Sequence, residues 1–348
     1  MHIKGPPAIA IVALMLSGVS SLAAEQLPKY ATAQAIPVGA PDHWDYLTFD
    51  PESGRLYLAH GDRVDVLDGR TGRYIGSVKD IPGGPHGIGI VGSLNKGYTD
   101  DGKAGEVIAF DLSTLQVKAR IKAKPDADGI VVDPKSGHVF VIDGDSGAVT
   151  VVDPRTDTVI ATVMAGGELE FGVADGQGKI YVNGAEHREL VRIDTGTNAV
   201  DGHWPIPACE SPHGLAIDAR ERRLFVSCRN ELMVIVDADS GTVVDTEKIG
   251  RGTDAAAFDP QRHLAFSSNG IDGNVTVIKE VSPTQYVMLG NVPTAVTGRT
   301  MAIDPKSGRL YIAAASVTPV SDQPKEAGTP TRPVPVAGSL KVYLLDPQ

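Results

Sequence analysis

Seven ionisable residues recur along the chain with almost constant spacing. They are His43, His86, Asp128, Glu170, His213, Asp254 and Arg299, separated by 43, 42, 42, 43, 41 and 45 positions. Imidazoles and carboxylates that converge can hold a metal ion or divide acid and base roles between them. Arg299 adds a planar cation suited to an anionic group. A metal set of His43, His86, Asp128, Glu170 and His213 would take a divalent ion. A catalytic set would use His86 or His213 as general base, Glu170 as acid and Arg299 as anion clamp. Asp45, Asp126, Glu168 and Glu210 lie beside these positions.

The elements that must carry this series repeat with the same period. A short apolar strand ends in Asp-Pro-x-Ser-Gly, clearest at Asp50, Asp133 and Asp304 and weaker at Asp175, Asp218 and Asp259. A second strand follows with an aromatic residue: Tyr57, Phe140, Tyr181, Phe225, Phe266 and Tyr311. The slot at Gly92 keeps the spacing without the motif. A third strand ends in Asp at 68, 111, 153, 194 and 237, although the sixth copy has Lys279 there. A fourth, β-branched strand completes each unit. Pro fixes φ in the turn, and Asp and Ser accept its backbone N–H groups, so these aspartates are structural. A lone four-stranded sheet leaves both faces uncovered, whereas sheets stacked around an axis cover one another.

First strands fall near Leu47, Ile88, Ile130, Val173, Leu215, Ala256 and Met301, which predicts an all-β, seven-bladed propeller. The last unit lacks its fourth strand, and residues 32–38 supply it by pairing the two termini. The first strands line the channel, so the seven ionisable residues gather at one mouth, here called the top. Loops between second and third strands emerge beside them with His60, His187, Arg188, Arg229, Asn230 and Asn269. His138 and His263 map to bottom turns, and His203 to an outer strand.

Residues 139–167, VFVIDGDSGAVTVVDPRTDTVIATVMAGG, resemble the YVTN repeat. The resemblance covers nearly all of the chain after its leader and extends to the YncE-like periplasmic propellers. More distantly it reaches the seven-bladed lactonases of the 6-phosphogluconolactonase type. It implies the fold, and a set of functions that includes surface-layer proteins, binding proteins and a few enzymes.

Residues 1–24 read as a signal peptide, with Lys4 in its basic region, an apolar run at 8–16 and small residues Ser21 and Ala23 before cleavage. Residues 25–348 then form one domain, periplasmic or secreted, with no membrane span once the leader is gone. The formal charge is −11, and loss of Lys4 makes it one unit more negative. That balance, with no basic run, disfavours non-specific nucleic-acid binding, and no nucleic-acid partner is expected. The expected partner is a small molecule or a periplasmic protein. Cys209 and Cys228 meet at one end of a hairpin, which admits a disulfide, two free thiols, or a thiolate site with His213. Residues 316–338 interrupt the seventh unit as a Pro-rich stretch, either a lid or a disordered insertion. Two readings follow: a binding or scaffold module with its ligand at the top mouth, and a hydrolase or lyase acting there on a small anionic substrate. No nucleophile elbow, phosphate loop, HExxH or Cys-x-x-Cys signature supports the second.

Overall fold

The computed structural model describes residues 1–2, 27–318 and 334–348. Seven antiparallel sheets of four strands each surround a channel. Six are built from consecutive strands. The seventh is ordered from the channel outward as Thr300–Ile303, Leu310–Ala314, Lys341–Pro347 and the N-terminal strand Tyr30–Pro37. The outer pair runs from Tyr30 opposite Pro347 to Pro37 opposite Lys341, which closes the ring as the strand count requires. The leader lies outside the described residues, as does most of the Pro-rich insertion. The two ends of that insertion pair as a short ladder, Val317 with Pro335 and Thr318 with Val334. Among the described residues no helix is long and apolar enough to cross a membrane.

The turn chemistry that marks the repeat is visible in each motif. Asp50 accepts the Glu52 N–H at 3.0 Å and the Ser53 hydroxyl at 2.5 Å, and Asp304 takes the same two contacts from Lys306 and Ser307. The closing glycines sit at φ of 69°, 73° and 78°, where a Cβ is strained, and each returns its N–H to the motif's Asp carbonyl. In blade two a 3-10 turn, Gly92–Leu94, replaces the motif, and Asn95 takes the left-handed position at φ 52°.

The core lies between blades. Tyr57, Tyr98, Phe140, Tyr181, Phe225, Phe266 and Tyr311, one per second strand, are all buried. Burial of each contributes about 1.5–3 kcal/mol. Some also tie neighbouring blades through their hydroxyls. Tyr181 donates to the Ala238 carbonyl at 2.7 Å, and Tyr311 donates to Gly69 of blade one at 3.0 Å. Cys209 and Cys228 are joined as a disulfide in blade five, with Cα atoms 5.3 Å apart, so neither offers a thiolate to His213.

Candidate binding site at the top of the channel

The ring residues are aimed by irregularities at the top of the innermost strands. In blades one, three, four, five and six this strand carries one residue more than its partner, a β-bulge. Asp45, Asp128, Glu170, His213 and Asp254 all fall within these bulges. A bulge bends the strand and turns a side chain off the pleat. His86 and Arg299 stand just before their strands, Ile88–Val91 and Thr300–Ile303. Glycine follows the ring residue at 87, 129 and 214, where adjoining strands come very close. A Cβ on Gly214 would lie 2.4 Å from the Ala256 nitrogen, and one on Gly87 would lie 2.5 Å from the Ile130 nitrogen.

In blade one the bulge places Asp45 in the ring, not His43. His43 lines a neighbouring cavity of about 420 Å3 with His86, Lys103 and Asp126. Its imidazole is pushed down by burial and by the charge of Arg299. The ligand atoms of Asp45, His86 and Asp128, from three successive blades, lie within 4.8 Å of one another. Glu170 and His213 stand apart as their own pair, at 3.2 Å. Of the five residues expected to hold a metal, the structure therefore brings together His86 and Asp128, with Asp45 added.

His86 is held from behind by Asp100, a fully buried carboxylate at the end of blade two's second strand. Its Nδ1 lies 2.7 Å from Asp100 Oδ2, and Asp100 Oδ1 accepts the His86 and Gly87 N–H groups at 2.9 and 2.8 Å. This fixes the ring orientation, and the same Nδ1 lies 3.9 Å from Asp128 Oδ1. Burial would push the imidazole down. The hydrogen bond and charge of Asp100, with Asp128 and Asp45 beyond, prevail and hold it up at about 10.

The carboxylates have too few cations. Burial, then the charge of Asp45, pushes Asp128 up to about 8. Burial, then Asp128 and Asp254, pushes Glu170 up to about 8. Asp45 rises to about 6 through burial although Arg299 pulls it back. Arg299 does not stand ready for an anion. Its Nε donates to Asp254 at 2.6 Å, and its guanidinium lies 3.9 Å from Asp45 and over the Trp44 ring. Arg229 also reaches Asp254, at 3.2 Å.

Glu170 and His213 face each other. His213 Nδ1 lies 3.0 Å from the Ser211 carbonyl, and its Nε2 lies 3.2 Å from Glu170 Oε1. Burial and the Asp128 and Asp254 carboxylates push Glu170 up, while burial and then the charge of Arg229 push His213 down.

The channel is plugged below the ring. Tyr46 of blade one and Phe171 of blade four meet across it with ring centroids 4.7 Å apart. The top mouth is thus a cup with an aromatic floor. Burial, then the Asp254, Asp128, Asp45 and Glu170 carboxylates, pushes the Tyr46 phenol well up.

Other top residues are structural. His60 is fully buried between Asp65 and the Pro41 carbonyl, and Asn269 bonds Asn274 and Thr276. Asp100 and the aromatic floor are not evident from spacing alone. Their traces in the sequence are the Asp100-Asp101 doublet at a strand end, and aromatics at 46 and 171 where blades two, three and five have glycine.

The chain matches no family model. Among curated proteins it is similar to YncE of Salmonella typhimurium, 24% identical over 249 residues, which span 66% of this chain and 68% of the relative. YncE of Salmonella typhi is 22% identical over 193 residues, or 53% of this chain and 54% of the relative. Similar solved structures include Kuenenia stuttgartiensis hydrazine synthase, with TM-score 0.68 at 14% identity over 80% of this chain and 92% of that one. The RRP9 WD40 repeats give TM-score 0.75 at 11% identity over 92% and 99%. The solved structures show the fold alone. The period of about forty-two residues and the seven closed blades make this chain a seven-bladed β-propeller, similar in sequence to the two Salmonella YncE proteins.

Proposed function

We propose that this chain is an exported binding protein whose top cup takes a divalent cation, alone or carried by a small molecule, on Asp45, His86 and Asp128. The observation that carries this reading is the meeting of those three side chains within 4.8 Å, with His86 oriented by buried Asp100. One imidazole and two carboxylates suit zinc or manganese, with water or the ligand in the remaining positions. The raised Asp128 and Glu170 carboxyls mark negative charge that a bound cation would compensate. The apolar leader and the Cys209–Cys228 disulfide support export to an oxidising compartment.

Calorimetric titration of chelator-treated protein with Zn2+ and Mn2+ tests it. His86→Ala and Asp128→Asn are expected to weaken binding at the ring at least about tenfold. Asp100→Asn is expected to weaken it about 10–100-fold, through ligand orientation alone. Wild-type affinity in all three variants would reject the reading.

A second reading, a hydrolase or lyase at the same mouth, is favoured by one observation. Glu170 and His213 form an acid–base pair whose pKa values are displaced in opposite directions. It lacks a free anion clamp, because Arg299 is engaged by Asp254. Turnover of a panel of small lactones and esters that Glu170→Gln abolishes would support it.

A further inference from the structure

Blade six breaks the repeat at the opposite end of the ring from the cup. Its third strand does not end on a turn aspartate but continues through Glu280 to Ser282. Glu280 there approaches Asp218, the last residue of blade five's innermost strand, and His263, in the turn between blade six's first two strands. Asp218 is five positions along the strand from His213, or about 16 Å at strand rise. The ligand atoms of Asp218, His263 and Glu280 lie within 4.8 Å of one another. His263 Nδ1 is 4.0 Å from Asp218 Oδ2 and 3.7 Å from Glu280 Oε2.

One oxygen of each carboxylate is already committed. Asp218 Oδ1 accepts the Arg220 and Glu221 N–H groups at 2.8 and 3.2 Å, and Glu280 Oε1 accepts the Tyr286 hydroxyl at 3.3 Å. The other two oxygens, Asp218 Oδ2 and Glu280 Oε2, are buried without a hydrogen-bond partner among the described residues. Their side chains are 4% and 2% exposed. The cations close in sequence point elsewhere. Arg223 donates to Asp237 and the Pro283 carbonyl, Lys279 to the Arg262 carbonyl, and Arg262 to Asp259. Two facing carboxylate oxygens buried with no hydrogen-bond donor, and with only the His263 imidazole nearby at 3.7 and 4.0 Å, are costly. Burial and the adjoining Asp218 push Glu280 up to about 8. His263 is about one-third exposed, so water can reach the cluster from its side.

We propose that Asp218, His263 and Glu280 form a second divalent-cation site, suited to Zn2+, that fastens blade five to blade six at the bottom of the ring. The donor set offers one imidazole and one free oxygen from each of two carboxylates, with water completing the coordination. An all-oxygen ion such as Ca2+ fits it less well. The site does not depend on the reading of the top cup, which shares no residue with it.

The test uses the full exported chain, stripped with chelator and titrated with Zn2+ while heat release and melting temperature are followed. Glu280→Gln keeps the shape and removes the charge. His263→Asn removes the imidazole at a partly exposed position, and asparagine tolerates the φ of 53° found there. Asp128→Asn disables only the cup. Each bottom variant is expected to lose one equivalent of zinc, or at least tenfold in its affinity, together with the zinc-dependent rise in melting temperature. Asp128→Asn is expected to keep that rise. Zinc uptake and thermal response equal to wild type in both bottom variants would overturn the proposal. So would a zinc-insensitive wild type accompanied by a Glu280→Gln protein that melts higher, which would assign the pair to a shared proton.

Discussion

At the scale of single residues, the top cup is governed by carboxyls held in partly dry surroundings. Glu170 has a folded pKa of about 8, above its ordinary 4.5. A carboxyl raised on folding favours the folded state while it is protonated in both states. Its contribution is therefore full below the unfolded pKa and is lost as pH rises through the folded one. Metal-free protein should lose stability between about pH 4.5 and 8, and Asp128 should add to the same slope. Glu170→Gln cannot ionise, so its denaturation midpoint should fall less across that window than wild type. Chemical denaturation at several pH values checks this, and parallel slopes would show that Glu170 is not held protonated. The turn aspartates should behave in the opposite way to the ring. Asp133→Ala removes hydrogen bonds to the Lys135 and Ser136 N–H groups and should cost about 1 kcal/mol, with ligand binding unchanged. A loss of binding without a loss of stability would contradict the structural role.

At the scale of elements, closure depends on a strand that begins the described fold and pairs with its end. Removing residues 27–37 should expose the edge of Lys341–Pro347 and destabilise the ring by on the order of several kcal/mol. An unchanged melting temperature in the truncated protein would refute closure by the termini. Replacing both Cys209 and Cys228 by Ser should cost about 2–4 kcal/mol, since the bridge spans 19 positions of unfolded chain. Equal denaturant midpoints would show that the bridge contributes nothing. The repeat was legible because its turns are near-copies: Asp50, Asp133 and Asp304 do the same job with the same partners. The ring was legible as a period but not to the residue. In blade one the ring position falls two residues beyond His43, at Asp45, and the period alone does not mark that offset. Asp100 escaped notice because it acts from the second strand, and only the fold brings that strand's end behind His86. His60 shows the reverse error. A histidine in a top loop looks available by position, yet it is buried on Asp65.

At the scale of the molecule, seven similar blades carry a ring of three Asp, two His, one Glu and one Arg at the top of the channel. Structure alone would permit the ring to repeat as the bottom turns do. A ligand breaks the sevenfold symmetry, and the chemistry of the ring is correspondingly uneven. Asp45, His86 and Asp128 converge on one side, the Glu170–His213 pair occupies another, and Arg299 and Arg229 clasp Asp254 between them. Tyr46 and Phe171 meet beneath the ring, with centroids 4.7 Å apart. The most direct measurement is anomalous diffraction from crystals of the protein equilibrated with Mn2+ or Zn2+. The account predicts a peak bounded by Asp45, His86 and Asp128, present in wild type and lost in Asp128→Asn. A ring without a peak in metal-saturated crystals, or a ligand lodged in the channel from the bottom mouth, would contradict it.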